Sequence, residues 1–335
     1  MPARMFGSLL ATVALAALSW MPVADAVAAP SSYRVTSKDG VTLAVQESGN
    51  PDGPPVILIH GLLGSRLNWD AQVHSPELRP YRIITYDLRG HGLSDKPPGA
   101  QPYHDGRRWA DDLAAVIAGS HADKPVVVGW SLGGVVISNY LAAYGDSQLA
   151  GAVYVDGVVE LAKGQIVDHP DVYRDMTSPD LKTHLDGERT FVGLCFNRRP
   201  DADTFDRLLA NAAMASWDMQ KEVPTMTVFA AEGLGNARVP LLFIYGGRDA
   251  LVDTNATLAR ATALNPRIAS KVYADSGHAP FIEEPDRFNR DLAEFVRMAC
   301  RRSTDGDGFS RLPASARAAG KDRPRSTGCA PASAP

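Results

Sequence analysis

The chain has 335 residues, 45% of them hydrophobic, and a formal net charge of −4. That length allows one large α/β domain with an insertion, or two domains, and the apolar content excludes a disordered chain. The charge gives no ground for nucleic-acid binding, although it is uneven: residues 301–335 carry seven Lys/Arg against three Asp/Glu.

Residues 1–29 read as a secretory signal. Arg4 supplies the positive start, Leu9 to Met21 is apolar, and Ala24-Asp25-Ala26 fits an A-x-A cleavage site, with Val27-Ala28-Ala29 as a second candidate. The apolar run is roughly 13 residues, short of the ~20 needed to span a bilayer. The expected location is therefore secreted or periplasmic, with no stable membrane span after cleavage. Export permits disulfides, and the three cysteines read either as a Cys195–Cys300 or Cys300–Cys329 pair with one thiol left over, or as buried or unpaired thiols.

Strand-like runs follow. Tyr33–Thr36 and Val41–Glu47 meet at Lys38-Asp39-Gly40, a hairpin-type turn. Pro55 to Ile59 is a continuous apolar strand ending in His60-Gly61, and Tyr81–Tyr86 leads into Asp87-Leu88-Arg89-Gly90-His91-Gly92. Helical spacing runs from Arg108 to Ile117. Pro125–Val128 is a β-branched strand that enters Gly129-Trp130-Ser131-Leu132-Gly133, and a helix is expected over Val135–Tyr144. Ala152 to Asp156 is another strand. Alternation of this kind predicts a mostly parallel sheet with helices on both faces.

Over residues 157–236 the alternation stops and several helix-like stretches appear. Met214, Trp217, Met219, Met226 and Phe229 make its later part apolar, and the cap's Met and aromatic content suggests an apolar acyl or alcohol pocket, with simple core packing as the other reading of such residues. Strands resume at Val239–Tyr245 and Lys271–Ala274, and Pro285 to Met298 is an amphipathic closing helix. The division expected is a core of residues 30–156 and 237–300, a helical cap of 157–236, and a disordered basic tail of 301–335.

The chemistry centres on Ser131. A serine between glycines at a strand-to-helix turn is a G-x-S-x-G nucleophile elbow. It lifts the hydroxyl above the sheet and puts the next backbone N–H, that of Leu132, at a helix start that welcomes negative charge. A serine hydroxyl needs a base, and the base an orienting group. His278, on the Gly-flanked loop after the last strand, is the candidate base. Asp249, after Phe243–Tyr245 and the turn glycines Gly246-Gly247, is the candidate acid. Asp156, at the end of the preceding strand, is the alternative acid, and Asp253 reads as a helix cap. His60-Gly61-Leu62-Leu63-Gly64 can fold tightly enough to aim the Leu62 N–H at the site, so Leu62 and Leu132 form the expected oxyanion hole.

These motifs, with Asp87-Leu88-Arg89-Gly90-His91-Gly92-Leu93-Ser94 and Gly277-His278-Ala279-Pro280, resemble the α/β-hydrolase superfamily over roughly residues 33–299. The resemblance implies an eight-stranded, mostly parallel sheet roofed by the cap. It also implies a structural role for Asp87 and His91, while His60 is expected to brace the oxyanion loop. Within the superfamily the chain looks most like the small, capped carboxylesterases, a group that includes cofactor-free perhydrolases and C–C bond hydrolases. Haloalkane dehalogenases and epoxide hydrolases carry aspartate at the elbow, so Ser131 disfavours both. The expectation is a serine ester hydrolase that acts through an acyl-enzyme on a small-molecule ester, with no metal or organic cofactor. The alternatives are a C–C bond, lactone or amide hydrolase or a perhydrolase with the same triad, and a catalytically silent binding protein on the same fold.

Overall fold

The computed structural model describes residues 30–308, with side chains to residue 303. The proposed signal and the tail beyond residue 308, Cys329 included, lie outside the described residues. Eight strands form one sheet: β1 Ser31–Thr36, β2 Thr42–Gly49, β3 Pro55–Ile59, β4 Arg82–Tyr86, β5 Val126–Trp130, β6 Gly151–Val155, β7 Leu241–Gly246 and β8 Ala269–Tyr273. Their order across the sheet is β1-β2-β4-β3-β5-β6-β7-β8. β1 pairs antiparallel with β2, and β2 antiparallel with β4; every later pairing is parallel. This is the expected eight-stranded α/β sheet.

The local causes are plain. β3, β5, β6 and β7 are buried along their whole length, as central parallel strands covered by helices must be, and their sequences are accordingly unbroken apolar runs. The β1–β2 turn needs a left-handed residue, and Gly40 supplies it at φ +87°. β1 and β8 form the edges and are mostly exposed.

Helices Gly106–Gly119 and Leu132–Tyr144 follow β4 and precede β6. The second begins directly after Ser131, earlier than the predicted Val135, because the elbow itself starts the first turn. Between β6 and β7 the cap contains helices Pro170–Met176, Leu181–Leu194, Ala202–Ala213 and Trp217–Glu222. Asp180, Asp201 and Ser216 accept backbone N–H bonds at three of their starts. Asp253 caps Thr254–Leu264 in the same way, as its sequence context predicts. The closing helix runs from Pro285 past Met298 to Gly308, since its apolar face continues through buried Ala299 and Cys300. The stretch 301–308, expected to belong to a disordered tail, is thus helical. No described helix is long and apolar enough to cross a membrane. The Cys195–Cys300 pairing does not form: Cys195 is a buried thiol.

Because β3 and β5 to β8 run parallel, their C-terminal ends share one edge of the sheet. The loops that leave that edge carry, in spatial order, Leu62, Ser131, Asp156, Asp249 and His278. Residues spread over more than half the sequence are collected there by topology alone.

Candidate active site

Ser131 has φ +52° and ψ −114°, a conformation that non-glycine residues rarely hold. Three bonds hold it there. Its N–H donates to the Val155 carbonyl at 3.0 Å, and its carbonyl accepts from Gly134 and Val158 N–H at 2.9 Å each. The flanking glycines follow from crowding. A Cβ on Gly133 would stand 2.7 Å from the Ile59 carbonyl oxygen, and one on Gly129 would stand 2.4 Å from the Gly133 oxygen. Neither backbone atom can yield.

His278 and Asp249 are brought together. His278 Nδ1 lies 2.7 Å from Asp249 Oδ2, and both side chains are almost wholly buried. Asp249 Oδ1 accepts from Leu251 N–H at 2.8 Å and Val252 N–H at 3.0 Å, which fixes the carboxylate's orientation. The Trp130 indole, one residue before Ser131, donates to the His278 carbonyl at 2.7 Å and ties the histidine loop to the elbow. Asp156 makes no hydrogen bond to His278. It is fully buried behind Asp249 and accepts from the Gly246 N–H at 2.7 Å.

The oxyanion loop is a braced turn. Gly64 N–H donates to the Gly61 carbonyl at 3.1 Å, and Leu63 takes φ +60°. His60 Nδ1 contacts the Gly61 carbonyl at 2.7 Å while its Nε2 accepts from Leu88 N–H at 2.9 Å. His91 Nε2 accepts from Leu63 N–H at 3.3 Å. Both rings accept through Nε2 and so are neutral at that atom. Burial lowers their pKa values, to about 4 for His60 and about 3 for His91. Asp87 accepts from the Arg66 and Leu93 backbone N–H groups at 2.8 Å each. His60, His91 and Asp87 are therefore scaffold beneath the loop. Leu132 opens a helix, so its N–H belongs to the first turn, which has no intrahelical acceptor.

Ser131, Leu62 and Leu132 line a cavity of about 470 Å³. Its walls are apolar, with Val158, Ile166, Tyr173, Phe191, Leu251 and Val252 prominent, and Lys163 and Asp168 add charge. The apolar cap residues Met214, Trp217, Met219, Met226 and Phe229 are not among them. Met219 and Met226 are core, and Met214 and Phe229 face solvent. Helical periodicity shows which residues of a cap turn inward, and here Met219 turns toward the core: a Cβ on Gly90, in the loop after β4, would stand 3.0 Å from its Cβ and Cγ.

The sequence also left two contributors unseen. The segment 162–168 lies along the Asp249 loop, with Val167 N–H on Leu251 O at 2.9 Å and Asp253 N–H on Gln165 O at 2.8 Å. Glu283 accepts from Gly277 N–H at 2.7 Å, Arg198 N–H at 2.8 Å and Asn197 N–H at 3.3 Å, joining the histidine loop to the cap. The one hint of the second was an acidic residue in the otherwise apolar stretch after His278.

The family model described as "alpha/beta hydrolase fold" matches residues 54–285. A crystal structure of a candidate aryl esterase from Burkholderia cenocepacia is 69% identical, covers 80% of this chain and 99% of its own, and superposes with a TM-score of 0.80. An esterase from Rhodococcus sp. ECU1013 is 30% identical, covering 79% of this chain and 98% of its own, with a TM-score of 0.73. A bifunctional esterase/perhydrolase from Acinetobacter calcoaceticus is 29% identical over 283 residues, 78% of this chain and 99% of its own. A non-heme haloperoxidase from Rhodococcus erythropolis is 30% identical over 279 residues, 78% and 98% of the two chains. The chain belongs to the alpha/beta hydrolase fold family.

Proposed function

We propose that the protein hydrolyses carboxylic esters through a Ser131–His278–Asp249 triad. The observation that carries this is the 2.7 Å contact between buried His278 Nδ1 and Asp249, set on the same sheet edge as a strained serine elbow that opens into an apolar cavity. In that arrangement His278 Nε2 takes the Ser131 proton as Oγ attacks the acyl carbon, and Asp249 holds the tautomer and stabilises the imidazolium. The Leu62 and Leu132 N–H groups receive the oxyanion. His278 then protonates the leaving alkoxide, and water, deprotonated by the same ring, releases the acid and restores Ser131. The cavity favours an uncharged, apolar ester. None of these steps calls for a metal or organic cofactor.

Turnover of a short-chain nitrophenyl ester by the purified protein tests this. Wild type is expected to hydrolyse it, and Ser131→Ala to fall by about 10³-fold or more. Unchanged turnover in Ser131→Ala, or none in wild type, would overturn the reading and leave the silent binding protein as the better account. Because one relative is a bifunctional esterase/perhydrolase, a second reading has hydrogen peroxide replace water at the acyl-enzyme, giving a peracid and free Ser131. Peracid formation from ester and peroxide decides it. A panel of lactones, amides and C–C substrates tests the remaining alternatives. We further propose export with cleavage within 1–29, which N-terminal sequencing of the cell-envelope or culture-medium form would test.

A further inference from the structure

We infer that Asp156 is held as a neutral carboxylic acid that donates its proton in a hydrogen bond to the Asp249 carboxylate, and so acts as a positioning residue for the acid of the triad. This rests on the Ser131–His278–Asp249 assignment.

Asp156 terminates β6 with φ +42°, and its side chain is fully buried. One carboxyl oxygen accepts from Gly246 N–H at 2.7 Å. The other finds no N–H or hydroxyl donor among the described residues. The Asp249 carboxyl is the charged group that stands beside it. Asp156, Asp249 and His278 each place an oxygen or nitrogen within 4.8 Å of the others. Two dry carboxyls at such range cannot both ionise, so one keeps a proton.

Donor placement says which. Asp249 has three donors on its oxygens: Leu251 N–H, Val252 N–H and His278 Nδ1. Asp156 has one, Gly246 N–H. Each N–H aimed at a carboxylate stabilises the anion, so Asp249 carries the charge and Asp156 the proton. The orphan oxygen of Asp156 then becomes the O–H that donates to Asp249, and nothing buried is left unpaired. The surrounding groups favour the same state. Tyr245 donates its hydroxyl to Gly157 O, and the Cys195 thiol and Glu283 add no positive charge. Burial first, and the neighbouring Asp249 charge second, push the Asp156 carboxyl well above the ordinary carboxylate range.

The consequence is chemical. A neutral donor on Asp249 spreads its charge and leaves Oδ2 oriented toward His278.

The experiment compares Asp156→Val and Asp156→Asn in the full chain, reading kcat/KM against pH on the nitrophenyl ester. Asp156→Val removes the donor. It is expected to lose about tenfold in kcat/KM and to move the acid limb to higher pH. Asp156→Asn restores a donor to Asp249 and an acceptor for Gly246, and should recover most of that loss with the limb near its wild-type position. An Asn variant whose acid limb drops by half a unit or more would mean that Asp156 is anionic, and would overturn the inference. So would an Asp249→Asn enzyme that stays within tenfold of wild type, with Asp156 serving as the acid. A readout independent of turnover guards against misfolding of the Val variant and against failure of the esterase reading. The infrared difference spectrum of wild type minus Asp156→Asn at pH 7 should contain a protonated-carboxyl C=O band, and its absence would overturn the proposal.

Discussion

Ser131 is held at φ +52° by bonds to the end of β6, to the loop after it and to the first turn of its own helix, so its strain is borne by its surroundings and not by the serine alone. Gly133 is where that arrangement is least tolerant. Its would-be Cβ faces the Ile59 carbonyl at 2.7 Å, so Gly133→Ala must push the elbow off β3. We expect a loss of about 2 kcal/mol or more in denaturant-measured stability and at least a tenfold fall in kcat/KM. At this scale the sequence was highly legible. A G-x-S-x-G after a β-branched run leaves little freedom, because the turn demands glycines that few other local structures need. The sequence named Asp249 and kept Asp156 as the alternative, since both follow strands that end on one sheet edge; the strand order puts β7, and so Asp249, beside β8 and the His278 loop, with β6 one strand further away.

The loops after the strands couple the candidate site to the cap. Glu283 accepts one N–H from the His278 loop and two from the cap segment 197–198. Gly277 permits that approach, because a Cβ there would lie 2.5 Å from the Asn197 nitrogen. Glu283→Ala would leave three N–H groups without their acceptor. The expected cost is about 1–3 kcal/mol in stability, with a lower kcat as the His278 loop loosens. Glu283→Gln keeps one acceptor oxygen and should fall between the two. Thermal unfolding together with kcat on the nitrophenyl ester checks both. Beyond an acidic residue in an apolar stretch, this coupling was not readable in advance: a glutamate before Glu284-Pro285 looks like the charged start of a helix, and its three partners come from segments 6 and about 85 residues away.

Across the whole molecule, the buried polar groups set the response to acid. His60 and His91 are neutral in the fold, with pKa values lowered by burial to about 4 and about 3, against ~6.5 in an unfolded chain. As pH falls below 6.5 the unfolded state takes up protons that the folded state refuses. Their contribution to stability is thus complete above pH 6.5 and is lost progressively as pH falls toward 4 and 3. By pH 5 the loss should reach about 2 kcal/mol per histidine. Urea unfolding at pH 7 and pH 5 measures it, and His91→Asn should flatten the dependence; an unchanged wild-type midpoint would contradict the buried neutral assignment.

From the sequence by itself came the eight strands, the helical insertion, the serine elbow and the late histidine. Each rests on short-range causes: unbroken apolar runs for buried parallel strands, glycines where the backbone must turn, and N-capping aspartates. Only the tertiary structure decided which aspartate meets His278, which cap residues wall the cavity, and how Glu283 and the 162–168 segment clamp the loops. Those outcomes depend on which strand ends become neighbours and which way buried side chains point. Such contacts join residues far apart in the chain, and no local period or motif encodes them.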